Sequence, residues 1–182
     1  MSMRITALCF SMLLAASVTA SGQNLDGAPY VPGKDADIDL YMGTWTESMP
    51  RHTHGCLIER DILTQGNSLK PPRKGAVLEY VKRFAWGTLN VSNQTAPVSL
   101  KGEQEAFYIT GGKGIVSWNG ETADLFDGIC FLAPEGVSFT MTNTGSEPLT
   151  MFVIAEPVPA GFSPKKDIVV KNENTYPLGT KD

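Results

Sequence analysis

The sequence predicts an all-β chain folded as one antiparallel barrel or sandwich, and three observations carry that expectation. Between Pro97 and Glu156 six short apolar runs follow one another: Glu105–Thr110, Gly114–Trp118, Thr122–Phe126, Ile129–Ala133, Val137–Thr142 and Leu149–Ala155. The breaks between them are made of residues that tolerate a left-handed backbone or end a strand, among them Asn119-Gly120, Asp127-Gly128, Pro134-Glu135-Gly136 and Asn143-Thr144-Gly145, and Asn-Gly is the strongest short-range hairpin signal. The spacing of runs and breaks is nearly even, as in barrels and sandwiches rather than in strand–helix alternation.

Met1–Gly22 reads as a secretory signal peptide: Arg4 supplies the positive start, Ile5–Ala16 the apolar stretch, and Val18-Thr19-Ala20 a small-x-small cleavage pattern, with Ala20-Ser21-Gly22 as the alternative. The apolar stretch is too short to span a bilayer. Cys9 lies inside it, so a lipid anchor there is not expected. The expected location is secreted or periplasmic. Beyond the signal peptide the chain has about 160 residues, one domain's worth. The net charge of −4 and a sequence pI near 5.2 give no basic surface for nucleic acid.

Gln23–Asp39 reads as a polar arm, and Leu40–Met49 as an early strand or an extended segment lying on the barrel. Residues 23–55 together form the entry segment. Pro50–Gly55 reads as a turn, Cys56–Leu63 as a strand, Thr64–Gly75 as a loop, and Ala76–Trp86 and Thr88–Val91 as strands separated by a bulge at Gly87. Asn93–Ala96 is a turn. The proline-rich run after Glu156 excludes helix and central strand, Asp167–Lys171 is a candidate edge strand, and residues 172–182 form a tail, leaving 56–171 as the barrel.

The central stretch resembles the cupins, small jelly-roll barrels marked by two motifs. The second motif is Gly, five residues, Pro-x-Gly, two residues, His, three residues, Asn. Gly128, Pro134, Gly136 and Asn143 stand at its positions, with Phe139 in place of the histidine. The first motif is His-x-His, three or four residues, Glu, six residues, Gly. Glu105 and Gly112 match its second half, with Ser99 and Lys101 in place of the two histidines. The resemblance implies a cupin-like jelly-roll barrel, with Ser99, Lys101, Glu105 and Phe139 pointing into its interior as the ligand-binding candidates. It also implies that three of the usual four metal ligands are missing. A protonated lysine offers a metal no lone pair and repels a cation, so no metal and no other cofactor is expected at that place.

Two readings of this interior stand open. Lys101 and Glu105 form a pair that holds a polar ligand or moves protons, or Lys101 reaches out to the barrel mouth and Glu105 is satisfied by backbone and hydroxyls. The only histidines, His52 and His54, form a His-x-His-x-Cys pattern with Cys56. On an extended strand that pattern would put three ligands on one face. In a turn the alternation fails, and Arg51–His54 would instead cover the barrel mouth. Cys56 and Cys130 are an exportable disulfide pair or two separately buried thiols. Trp45, Trp86 and Trp118, with Phe107, Tyr108, Phe126, Phe131, Phe139 and Phe152, are read as core, or in part as the lining of a pocket for a sugar or aromatic compound.

The functional expectation is an exported, metal-free cupin module that binds a small molecule or serves a structural role. The alternative is a cupin enzyme acting on a small polar or carbohydrate-like substrate, through Lys101 and Glu105 or a non-standard metal site. Expected partners are a small-molecule ligand and a second copy in a homodimer, with Leu40–Met49 as a candidate for pairing, or a separate barrel that keeps the metal. Neither nucleic acid nor membrane is expected.

Overall fold

The computed structural model describes residues 37–176. The signal-peptide reading, most of the polar arm and the end of the tail lie outside them. The described residues are all-β as expected, with eleven strands and two single-turn 3-10 helices, Ile38–Tyr41 and Glu173–Thr175.

Two antiparallel sheets form the barrel. The larger runs in the order β1 (Arg51–Thr53), β2 (Leu57–Thr64), β3 (Arg83–Leu89), β10 (Leu149–Pro157), β5 (Glu103–Gly111), β8 (Ile129–Ala133) and β11 (Val169–Asn172). The smaller runs β4 (Val98–Ser99), β9 (Ser138–Asn143), β6 (Gly114–Trp118) and β7 (Glu121–Leu125). Alternate residues of β3, β5, β6, β8, β9 and β10 are buried, so the facing sides of both sheets supply one core. That core contains Leu57, Leu89, Ile109, Val116, Leu125, Leu149, Met151 and Val153, with Phe107, Phe131, Phe139 and Met141 at its centre.

All six runs of the central stretch are strands. The N-terminal third differs more. Leu40–Met49 contains the end of a 3-10 helix and a turn rather than a strand, and Gly43 within it packs so close to the Ile62 carbonyl that no Cβ would fit. Arg51–Thr53, expected as a turn, is an edge strand paired with β2, so the barrel begins at 51 rather than 56. Gly87 is no bulge: it sits inside a continuous β3, paired with Glu59 and Met151. A Cβ there would meet Met151 Cγ at 2.9 Å, so glycine serves close packing. The edge strand expected at Asp167–Lys171 is β11, on the outer side of β8.

The aromatic residues divide between the two faces. Phe107, Phe131 and Phe139 fill the interior, with Phe107 stacked on Phe131 at 4.6 Å between ring centroids. Trp45, Phe84, Trp86 and Phe152 instead stack with one another, Trp45 on Trp86 at 5.7 Å and Trp86 edge-on to Phe152 at 5.2 Å. Their strand positions alternate with the buried Ala85 and Val153, which puts Phe84, Trp86 and Phe152 on the outer face of the large sheet. Phe126 is exposed. A core reading for Trp45, Trp86, Phe126 and Phe152 is therefore corrected: period-two alternation in a half-buried sheet gives large side chains to both faces. Both Cys56 and Cys130 are free thiols, and Cys56 donates to the Gln94 carbonyl.

Candidate functional site

The interior row at one end of the large sheet is set by register. Arg83 on β3 faces Ala155 on β10, which faces Glu105 on β5, which faces Ala133 on β8. The small side chains of Ala155 and Ala133, with Ala85 beside them, leave room for the long side chains of Arg83 and Glu105. Arg83 Nη2 donates to Glu105 Oε1, and its Nε donates to Glu59 Oε2 at 3.1 Å.

Glu59 enters from β2 on the same face as Leu57. Its carboxylate also accepts from Thr53 Oγ1 at 2.7 Å and Arg51 Nη2 at 2.9 Å, both from β1. Arg51 in turn holds Asp61 at 2.7 Å. Burial by itself would push the Glu59 carboxyl up. The Arg83 charge and the hydrogen bonds from Thr53 and Arg51 outweigh it and hold the group below the ordinary carboxylate range. Arg83 is shifted the opposite way: burial lowers it, and the charges of Glu59 and Glu105 raise it by more.

His54 closes this end. It occupies the β1–β2 turn with φ +47°, followed by Gly55 at +82°, a left-handed pair of the kind that tight hairpins use. The turn breaks strand alternation. His52 stays exposed on the outside while the His54 ring packs 5.9 Å from Phe107 and 5.6 Å from Phe139. Its Nε2 lies 2.8 Å from Glu105 Oε2, without the alignment of a hydrogen bond, and its Nδ1 meets no protein partner. The two carboxylates and the imidazole are more deeply buried than the two guanidinium groups. The side chains of Glu59, Glu105 and His54 are 0 %, 1 % and 4 % exposed, that of Arg83 14 %, and that of Arg51 41 %.

The four residues named from the sequence separate. Glu105 and Phe139 face the interior. Ser99 and Lys101 do not: both are exposed, Lys101 in a bend just past the two-residue β4. The pairing of Lys101 with Glu105 is therefore corrected. In β4 Val98 pairs with the buried Phe139 and Ser99 with the exposed Ser138, so alternation itself carries Ser99 and Lys101 outward on either side of the buried Leu100. Arg83 supplies the cation instead. Nor do His52, His54 and Cys56 share a face. One signal for the missed residues was present: in β2 the alternation that buries Leu57 must also bury Glu59, and a buried carboxylate requires a cation on a neighbouring strand.

The fold implies a metal, and the donor set tests it. One ligand atom each from His54, Glu59 and Glu105 lies within 4.8 Å of the others. Their chemistry does not fit a cation. Both Glu59 oxygens are taken by Thr53 and two guanidinium groups, and Glu105 Oε1 by Arg83. Arg83, which does not lose its proton in proteins, lies against both carboxylates, where it repels a metal. A single imidazole is the only neutral donor.

Outside this site, surface clefts of about 280, 340, 320 and 560 Å³ are lined by residues such as Asp61 and Arg73, Trp118 and Thr140, Lys113 and Glu147, or Phe162 and Lys166. His54, Lys101 and Glu105 line none of these four.

Two packed antiparallel sheets, with a polar site at one end of the interior, define a jelly-roll barrel. Residues 89–155 match the family model for the cupin domain. Solved structures agree on the fold. A predicted oxalate decarboxylase from Thermotoga maritima is 20 % identical with a TM-score of 0.52, over 64 % of this chain and 98 % of that one. The nickel complex of the bacterial pirin YhhW from Escherichia coli is 15 % identical with a TM-score of 0.55, over 72 % of this chain and 57 % of that one. A putative glyoxylate-induced protein from Pseudomonas aeruginosa is 15 % identical with a TM-score of 0.57, over 77 % and 55 %. Comparison with curated proteins returns no match. Arg51, His54, Glu59 and Arg83 all precede the family match, and Glu105 alone of the charged network lies within it.

Proposed function

We propose that this protein is an exported cupin module that works without a metal and whose barrel has a structural rather than a catalytic role. One observation carries the reading. The position where a cupin would hold its ligand is filled by protein: the rings of His54, Phe107, Phe131 and Phe139 pack together, and Arg83 is bonded to the carboxylates of Glu59 and Glu105. Export rests on the pattern of Met1–Gly22, and with it a secreted or periplasmic location. No helix among the described residues is long and apolar enough to cross a membrane. Self-association belongs to the same proposal. The large sheet ends in β1 and β11, and edge strands offer unpaired backbone to a second copy. Elemental analysis of the full chain, purified without a histidine tag, is expected to find no stoichiometric zinc, iron, manganese or nickel. One equivalent surviving dialysis would overturn the metal-free reading.

A second reading, a small-molecule binder or acid–base enzyme, is favoured by His54. Its backbone is left-handed, its ring is buried, and Nδ1 has no partner, a combination that marks functional positions. In this reading His54 and Glu105 replace the Lys101–Glu105 pair. A thermal-shift screen of small acids and sugars separates the two. A ligand at 100 times its Kd adds about 2.7 kcal/mol to wild type. Stabilisation of wild type, but of neither His54→Asn nor Glu105→Gln, would replace the structural reading with this one.

A further inference from the structure

We propose that the Arg83 guanidinium is the protein's built-in substitute for a metal cation: it satisfies the buried carboxylates of Glu59 and Glu105, and its removal opens them, together with His54, to a divalent cation. The proposal rests on the metal-free reading above and says how that state is enforced.

The argument starts from what buried carboxylates require. Glu59 and Glu105 are both removed from water, and neither ionised group is tolerated there without a cation. In a metal-binding barrel the ion supplies that charge. Here Arg83 reaches both groups from one side chain, Nε to Glu59 and Nη2 to Glu105, a planar fork suited to bridging two carboxylates.

The remaining atoms show what the guanidinium does not satisfy. It bonds Glu105 Oε1, leaving Oε2 turned to His54 Nε2 at 2.8 Å, and both atoms are buried with no aligned hydrogen bond. A nitrogen and an oxygen 2.8 Å apart with no aligned hydrogen bond between them are as close as two ligands of one ion. The third donor, a Glu59 oxygen, is within 4.8 Å of both. The fixed positive charge of Arg83 lies against both carboxylates, whereas Arg51, at 2.9 Å, touches Glu59 alone of the two and is itself more exposed.

The register explains how this substitution is built. Arg83 is brought into line with Glu105 by Ala155, which pairs with both, and His54 and Glu59 arrive on the β1–β2 hairpin. An arginine on β3 and a hairpin from outside the family's matched segment thus fill the interior that the missing histidines would have used.

The test is a zinc and nickel titration, by calorimetry and by equilibrium dialysis with elemental analysis, of the full chain without a tag. The proteins are wild type, Arg83→Gln, Arg83→Met, and Arg83→Gln combined with His54→Asn, asparagine being tolerant of the left-handed backbone at that position. Wild type is expected to show no saturable site. Each single variant is expected to bind one equivalent at least about a hundredfold more tightly than wild type, and adding His54→Asn is expected to abolish the gain. One tight equivalent in wild type would overturn both this inference and the metal-free reading. A metal-free wild type with folded Arg83 variants that also bind nothing would overturn this inference alone. Melting with and without zinc covers variants that do not fold: the cation should restore what the guanidinium supplied, and a variant that stays unfolded in zinc counts equally against the proposal.

Discussion

Replacing Glu59 by glutamine keeps the side chain's shape and removes its charge. The wild-type carboxylate accepts three hydrogen bonds, from Thr53, Arg51 and Arg83. Glutamine must turn its amide group toward one of those donors, and Arg83 is left with Glu105 as its only close carboxylate. Breaking a buried pair by neutralising one partner costs about 3–5 kcal/mol. Arg51 is partly exposed and keeps Asp61, which puts the expected loss at the lower end, about 3 kcal/mol, or roughly a 10 °C fall in Tm for a domain of this size. The pH dependence gives a second, independent reading. Glu59 is held below its ordinary 4.5 in the folded protein, so the unfolded chain takes up the proton first as pH falls. The stabilisation is complete above the unfolded value and is lost as pH falls through the folded one. Thermal melts from pH 7 down to about pH 3 should therefore show wild type and Glu59→Gln converging in acid. A variant within about 1 kcal/mol of wild type at neutral pH, with a parallel pH profile, would refute the claim that this carboxylate pins the β1–β2 hairpin to the barrel.

Three further outcomes are expected. Lys101→Met should leave stability within about 0.5 kcal/mol of wild type, because Lys101 is exposed; a large loss by chemical denaturation would return Lys101 to the interior. Asn143→Ala should cost about 2–3 kcal/mol in the same assay, since the buried amide donates to the Leu89 and Glu147 carbonyls and accepts from Gly145 N–H; a neutral result would mean these bonds do not hold the β9–β10 turn. The Tyr108 phenol, pushed up to about 12 chiefly by its hydrogen bond to Glu173, should titrate lower in Glu173→Gln when followed by ultraviolet absorbance; an unchanged curve in that variant would break the link.

The sequence by itself determined the strands and turns of the central barrel and its likeness to the cupin domain. Alternating apolar runs and left-handed turn residues are local signals, and Gly128, Pro134, Gly136 and Asn143 form a motif tied to backbone geometry. It also determined that histidines are missing from the usual positions, and that Glu105 and Phe139 face inward. Tertiary structure decided what fills the interior. Aligning the first motif turns Ser99 and Lys101 inward, but the pairing of β4 with β9 turns that row of side chains outward, and Arg51–Thr53 reads as a turn because three residues of edge strand owe their conformation to a partner, β2, rather than to their own propensity. The pairing of Arg83 with Glu59 and Glu105 spans more than twenty residues in each direction and is set by the order of strands β2, β3, β10 and β5. No periodicity within one segment encodes that order. The inward turn of His54 likewise depends on a positive φ inside a three-residue hairpin loop that docks on Ala96. Local patterning is written residue by residue along the chain, whereas the charge network exists only once strands far apart in sequence have become neighbours in the sheet.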